Sequence, residues 1–522
     1  MPFIGACLVA WALEVGLARA SRRLLTSAAF VFALARSAPV AASPPAVQAD
    51  DTSLAPPAVR HPLALTLVEE VAVLAVQGAW YWGHSRYGSA GGAVTPENFF
   101  ASLVSDDFVL DEDHFRTNGA GHPLAGAVAY QIPRGNGMSV GASFLASFIS
   151  TVAWKYFGEW NQTHSINDVI MSPAAGWVIG EATYRVGRWF AAGEPGIINC
   201  LGAGFLSPFA VLNGSSVCGF RQGDRPPSAI VVPTWHRLAA EIGPSIATFD
   251  GGNARPGLAL GLAALIRANA QYRTPGTGSA TAWPGQWTSV RGRLLLEDRA
   301  IRGTAFDAGA LLIGRYVRRY AETDGASGDP DGWGALFGLS SSFDYESRQL
   351  PLGRDRTASA GLAGPVIELS ARRGPLQLRG WFAATYAFSQ VTSLAYARAA
   401  PSFAGMQLKE VLQLEGYYYA HGPVSSAVLE GEVGGVRLTL EGRMANFWSI
   451  DSHYSNQSQI ENNFSLVDTR VFARAIASLQ PTSGPFRVAV ELDDDLRDSR
   501  IPGILVRVNE RRVLASLALV SR

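Results

Sequence analysis

From about residue 237 to the end of the chain, polar and apolar residues alternate with period two. Arg437, Thr439, Glu441 and Arg443 interleave with Val436, Leu438, Leu440, Gly442 and Met444. Gln377 and Arg379 interleave with Leu376 and Leu378, and Phe382, Ala384, Tyr386 and Phe388 continue the apolar row. Phe337, Leu339, Ser341, Phe343 and Tyr345 face away from Ser340, Ser342 and Asp344, and Arg291 and Arg293 face away from Val290, Gly292, Leu294 and Leu296. Side chains that alternate in this way belong to strands with one apolar and one polar face. About twelve such segments fit into 236–522, with turns at Gly434-Gly435 and at His421-Gly422-Pro423. Tyr417, Tyr418, Tyr419, Trp381 and Trp448 are candidates for aromatic girdles.

Before residue 193 the period is 3.6. Residues 62–83 form an apolar helix ending in Trp80-Tyr81-Trp82; Glu69 and Glu70 argue for a membrane-surface helix over a span. Three further helices are predicted: 118–134, capped by Asn118; 137–159, rich in Gly, Ala and Ser; and 165–190. The last opens on Ser165-Ile166-Asn167-Asp168, close to a capping box, and carries Gly176 and Gly180 four apart. Residues 193–235 are rich in Gly, Pro and Ser and read as a connector.

Two all-β readings fit the second half. A sandwich buries its apolar rows between sheets, whereas a membrane barrel turns them to lipid and keeps its charges inside. Charged residues are only 16% and Gly numbers 55 in 522 residues, which favours the barrel. So does the N-terminus: Arg19, Arg22 and Arg23, an apolar run at 24–34 too short to anchor in a membrane, and Val40-Ala41-Ala42 form an export signal. The expected order is therefore a signal peptide with an N-terminal extension (1–42), a Pro/Ala-rich linker (43–61), a helical domain (62–192), the connector and an antiparallel transmembrane β-barrel of about 12 strands (236–522). The expected location is the outer membrane, with the helices in the lumen as a plug or at the periplasmic mouth. The ending Leu519-Val520-Ser521-Arg522 lacks the terminal aromatic common in such barrels.

The zero net charge gives no basic surplus for nucleic acid. The expected partners are outer-membrane lipid and another envelope protein, and no cofactor or metal motif is present. The acidic run 106–113 lacks EF-hand spacing and reads as a solvated turn. Of three cysteines, Cys7 belongs to the leader, and Cys200 and Cys218 are either a disulfide pair or two buried thiols.

The polar residues set into the apolar helices are the candidate site: His122, Tyr130, Arg134, Glu159, Asn167, Asp168, Glu181 and Arg185. Tyr130 and Arg134 share a helix face, as do Glu181 and Arg185. Acid–base or metal chemistry is one reading of the set. The other, favoured by the absence of any zinc-binding or nucleophile motif, is a buried network in which Arg134 and Arg185 neutralise Glu159 and Glu181. This stretch resembles an uncharacterised bacterial family known only as a domain of unknown function, whose members look like outer-membrane barrels with a helical region in front. The matching residues include Asp111, Phe115, Asn118, His122-Pro123, Gly126, Tyr130, Arg134, Trp154, Glu159, 165–168, Gly180-Glu181 and Arg185. Lys155 departs from the pattern, where an acidic residue is expected. The family implies no activity.

A second candidate is His453-Tyr454-Ser455-Asn456, which resembles the His-x-Ser-Asn element of outer-membrane phospholipase A and the lipid A deacylase. That resemblance implies His453 as base and Ser455 as nucleophile of a lipid acyl hydrolase. A polar surface loop explains the same four residues, and the favoured function is a non-enzymatic envelope role, as a plugged pore or a transport or scaffold component.

Overall fold

The computed structural model describes residues 62–84, 108–159 except 112, 164–192 and 196–213. From 234 to 520 it describes all but the loop residues 251, 253, 270–274, 298–299, 322–329, 401–411, 413–414, 451–464 and 482–484. The predicted signal peptide, the linker and the pair His453 and Ser455 lie outside the described residues.

Among the described residues, the N-terminal part of the fold holds the helices α1 (Pro62–His84), α2 (His122–Gly135), α3 (Val140–Ala153), α4 (Ile166–Ala192) and α5 (Ile197–Leu206); a short turn of helix, α6 (Pro208–Leu212), follows. The expected connector is thus partly helical. Its Gly, Ala and Ser residues let α5 and α6 pack tightly on α4 and α2: a Cβ on Gly202 would lie 2.8 Å from the Phe190 ring. Asn118 does not cap α2. It sits in a π-helical turn, Thr117–Gly121, that leads into the helix. Ser139 caps α3 by accepting from the Ala142 N–H at 3.2 Å. At α4 the predicted cap forms, with the Asp168 N–H donating to Ser165 Oγ at 3.3 Å.

Thirteen strands follow. They are β1 (Thr234–Phe249), β2 (Arg255–Asn269), β3 (Gly276–Ala282), β4 (Trp287–Glu297), β5 (Ala300–Tyr320), β6 (Gly332–Leu350) and β7 (Gly353–Arg373). Then come β8 (Leu376–Thr392), the short helix α7 (Leu394–Ala399), β9 (Tyr417–Val433), β10 (Val436–Ser449), β11 (Val467–Leu479), β12 (Phe486–Ile501) and β13 (Ile504–Val520). Each pairs antiparallel with its neighbours, β13 pairs back on β1, and β5 pairs with β6, so the ladder closes on itself. β3 and β4 both pair with β5, one beyond the other, and form a single interrupted strand position. The protein is therefore a twelve-position antiparallel barrel, and closure excludes the sandwich. Gly434 and Gly435 both have positive φ (56° and 86°), as the two-residue turn between β9 and β10 requires. The turn expected at 421–423 does not exist: those residues lie inside β9.

The alternation read from sequence fixes which face is which. Val436, Leu438, Leu440 and Met444 of β10 are exposed on the outside, while Thr439 is buried and Glu441 and Arg443 pair across the lumen. Among the girdle candidates, Trp448 is exposed on the outer wall, but Trp381 points inward, its ring stacked on Trp287 and covered by Arg267. Tyr418 also points inward and donates to Asp468.

The N-terminal helices α1 to α6 occupy neither the lumen nor a mouth. They pack on the barrel's outer wall. In β6 and β7, Asp344 and Asp355 pair with Arg443 and Arg470 inside the barrel, so their neighbours Phe343, Tyr345, Arg356 and Ala358 face out. Phe115 packs against Tyr345, Tyr417 and Arg356 on that outer face. Ala308, Ala310, Phe343, Ala358, Ala360 and Phe388 share one apolar cluster with Met171, Trp177 and Val178 of α4. Near its C-terminus, α4 buries Val186 and Phe190 against Leu238 of β1 and Ile266 of β2, and Trp189 packs on His236, all on the outer face.

Candidate functional site

The predicted polar residues gather into two clusters between the helices and the wall. The first centres on Glu181. Its carboxylate accepts from Tyr130 Oη at 2.9 Å, from Arg134 Nε at 2.8 Å and Nη2 at 3.1 Å, and from Arg185 Nε at 2.8 Å. The positions follow from how closely α2 and α4 approach. A Cβ on Gly126 would fall 1.9 Å from the Ser172 carbonyl oxygen, and one on Gly176 would fall 2.4 Å from the Gly126 carbonyl carbon. With the backbones in contact, Tyr130 and Arg134 lie directly over Glu181 one turn further along α4. Arg134 also donates to the Met138 carbonyl at 2.7 Å, tying the α2–α3 turn into the cluster.

The second cluster forms where the residue pair Phe108–Val109 runs parallel to His164–Ser165. That pairing brings Asp111 beside the start of α4, where its N–H donates to Asn167 Oδ1 at 2.9 Å. Asp111 Oδ1 accepts from Asn118 Nδ2 at 2.5 Å and from Tyr419 Oη at 3.0 Å. Asn118 also donates to Tyr417 and Tyr419 oxygens at 3.2 and 2.7 Å, so one amide links the helices to β9. Asp168 lies 3.2 Å from His122 Nε2, accepts from Asn167 Nδ2 at 2.9 Å and pairs with Lys155. Lys155 pairs with Glu159 as well, and Glu159 takes the Trp154 indole N–H at 2.8 Å.

The expected partnership for Glu159 is corrected here. Arg134 and Arg185 both serve Glu181, and Lys155 neutralises Glu159. The departure from the family pattern at 155 thus sits at the centre of the cluster as its cation. The acidic run is not wholly solvated either, since Asp111 turns inward. His122 and Lys155 hold the Asp111 carboxyl below its usual range against the opposing effect of burial. Burial, with Asp111 nearby, raises Asp113 to about 6. Asp111, Asp113 and His122 each place a donor atom within 4.8 Å of the others, and these are the residues that could contact a cation. Asp111 already accepts two hydrogen bonds on one oxygen, and Lys155 supplies positive charge next to it. Among the described residues of these clusters, Ser165 Oγ donates to Asn167 Oδ1, an amide oxygen rather than a base.

A third polar group was not foreseen. Glu69 of α1 accepts from Asn136 at 2.7 Å and Asn213 at 3.0 Å, and Glu70 accepts from Ser150 at 3.0 Å. The two glutamates that argued against a span are turned into the bundle. Cys200, in α5, is disulfide-bonded; Cys218 lies outside the described residues.

The lumen carries a separate lattice of charges. Arg291 of β4 bonds Asp307 at 2.6 Å and Glu441 of β10 at 3.2 Å. Arg443 reaches Asp307 and Asp344 across the barrel at 2.9 and 2.7 Å, and Arg470 of β11 bonds Asp355 of β7 at 2.8 Å. Arg237 pairs with Glu430, and Arg293 with Glu491. A cavity of about 200 Å³ remains among them. At one end, α7 folds into the mouth, where the Ala395 N–H donates to Ser499 Oγ at 3.0 Å and Leu394 packs with Val391, Tyr418 and Phe447. Toward the other end, Trp287, Tyr316, Leu336 and Val366 fill the interior.

Residues 107–209 match the model of a family described as a domain of unknown function (DUF3943), over the stretch whose residues carry that resemblance. No curated protein matches the chain. Among solved structures, the translocator domain of autotransporter NalP from Neisseria meningitidis is 11% identical, with 54% of this chain and 88% of that one covered and a TM-score of 0.17. The anion-selective porin from Comamonas acidovorans is 7% identical, with 55% and 99% covered and a TM-score of 0.19. The outer membrane channel DcaP of Acinetobacter baumannii is 10% identical, with 55% and 97% covered and a TM-score of 0.21. The closed ladder itself, rather than these likenesses, defines the fold.

Proposed function

We propose that this chain is an exported outer-membrane barrel with a closed lumen, and that its role in the envelope is that of a scaffold carrying its helical domain. Closure of the ladder, apolar outer rows and a charged interior support the membrane placement. The observation that carries the scaffold reading is the ion-pair lattice. Arginines and carboxylates from β1, β4, β5, β6, β7, β9, β10, β11 and β12 meet inside the barrel, where a pore would hold water. The α7 segment adds a mouth closure. No such lattice is needed to hold a barrel shut against lipid; it matters only for what passes through. Purified protein in planar bilayers should give no steady conductance. Arg293→Ala with Arg443→Ala, which removes two cations and frees their carboxylates to hydrate, should give a cation-preferring leak. Steady conductance from the unaltered protein would overturn the scaffold reading and make the barrel a channel.

A further inference from the structure

The helical domain is built with its polarity reversed. Glu69, Glu70, Asn136, Ser150 and Asn213 point into the bundle, as do the two clusters around Glu181 and Asp168. While α4 buries its large apolar side chains against the wall, large apolar side chains on α1, α3 and α5 point away from the bundle. On α1 they are Leu63, Leu67, Val68, Val71, Val76 and Trp80, all more than half exposed. On α3, Phe144, Leu145, Phe148 and Ile149 form one outward face, and on α5, Ile197, Leu201 and Phe205 recur every fourth position. A water-soluble helix does the opposite, and soluble domains rarely leave apolar surface of this extent uncovered.

The surface on which the domain sits supplies the second observation. It is the outer wall of the barrel, whose uncovered part presents Leu429, Leu438, Leu440, Val488, Val490 and Leu505. Under the helices, Ala308, Ala310, Ala358 and Ala360 stand beside Phe343 and Phe388, and Gln390 is fully buried. The apolar faces of α1, α3 and α5 therefore continue the apolar surface of the barrel. The first of these helices has 23 residues, about 35 Å at ~1.5 Å per residue, against a hydrocarbon layer of about 30 Å. Its apolar stretch Leu63–Tyr81 is only 11% buried.

We infer that the helical domain lies within the bilayer, beside the barrel, with acyl chains covering α1, α3 and α5. This rests on the reading that the barrel itself is a membrane barrel. The polar clusters are then shielded from lipid by the helices on one side and from the lumen by the barrel wall on the other. Such buried ionisable groups persist in a membrane only when paired with one another, as Glu181 and Asp168 are.

Nitroxide labels on single introduced cysteines, in protein reconstituted into phosphatidylcholine vesicles, test this. Leu67→Cys and Ile149→Cys probe two helices, Leu438→Cys probes the bare barrel wall, and Asp250→Cys probes an aqueous loop. All four side chains sit at the surface, and heat-dependent gel migration checks that each protein folds. At 67 and 149 collisions with oxygen should be frequent and collisions with a water-soluble nickel chelate rare, matching 438 and opposite to 250. If 67 and 149 meet the chelate while 438 does not, the barrel reading stands and the inference falls. If 438 meets it too, both fall. Protection of 67 and 149 from both reagents would mean that protein covers these faces, which also overturns the inference.

Discussion

At the scale of single residues, the polar clusters behave as load shared between few partners. Glu181 is fully buried and answers two guanidinium groups and a phenol. Removing it leaves two buried cations without a counter-charge, which costs about 3–5 kcal/mol for a broken buried pair. Glu181→Ala should therefore make the helical domain protease-sensitive at temperatures where the parent chain resists, with Glu181→Gln milder because the Tyr130 and Arg134 hydrogen bonds keep an acceptor. Equal resistance of all three proteins would show that the cluster carries no stability. A pH effect follows at Asp113. Its carboxyl is raised to about 6, by burial first and Asp111 next, so the folded state holds its proton more tightly than the unfolded chain does. The sign is that of a raised acid: its contribution is present at low pH and is lost as pH rises from the unfolded value, about 4, through 6. Asp113→Asn should flatten the fall in helical-domain stability across that window, measured by limited proteolysis with an acid-tolerant protease; an unchanged slope would assign it to other groups. Of these residues the sequence showed which were unusual, because charges in apolar helices stand out. It showed one pair, Glu181 with Arg185, because they lie four apart on one helix, but not the pairs made between elements. Lys155 looked like a departure and Tyr417 and Tyr419 like girdle residues, since pairing depends on a strand and a helix nearly 300 positions apart meeting at Asn118.

At the scale of elements, alternation made the strands and their inward faces legible, because a period of two persists along each strand between the bulges, as at Leu311–Ile313. Helices α2, α3 and α4 were legible for the same reason at period 3.6. The position of the helices against the barrel was not. A wall residue that faces lipid and one that faces an apolar helix are both apolar, so pattern alone cannot separate them. Small side chains mark only part of the covered wall, beside Phe343 and Phe388. Ala308, Ala310, Ala358 and Ala360 stand where the helical domain approaches, and a Cβ on Gly119 would lie only 3.0 Å from that of Ala358. Ala358→Leu puts three more carbons into that contact. Overpacking of this kind costs about 1–3 kcal/mol. The expected outcome is a helical domain that a protease releases while the barrel keeps its heat-dependent gel migration. Loss of both together would mean that seating of the helices and closure of the barrel are one event. The α5 and α6 segments escaped the sequence reading because Gly, Ser and Pro at 193–213 serve close packing there, as well as turns.

At the scale of the whole molecule, two structures of opposite dependence are joined. The barrel closes through strand pairing alone: β13 returns to β1, β5 reaches β6, and no helix from 62–213 supplies a rung. The ion pairs that fill its lumen are likewise made between strands. The helical domain has no such independence. Its outward faces are apolar and its polar clusters reach the wall for their last partners, Tyr417 and Tyr419. A chain of residues 214–522 should therefore refold in detergent and show heat-dependent migration, while residues 62–213 alone should precipitate without detergent and remain protease-sensitive with it. The uncovered wall of the shortened barrel would present Gln390, the tyrosine hydroxyls and a strip of alanines to lipid, so its insertion into vesicles should be slower than that of the full chain and should recover when the helical part is supplied in trans. If the shortened barrel does not fold at all, the order of dependence is the reverse. The helices would then hold β5 to β9 in place during closure, and the domain would be a folding template for the wall on which it sits.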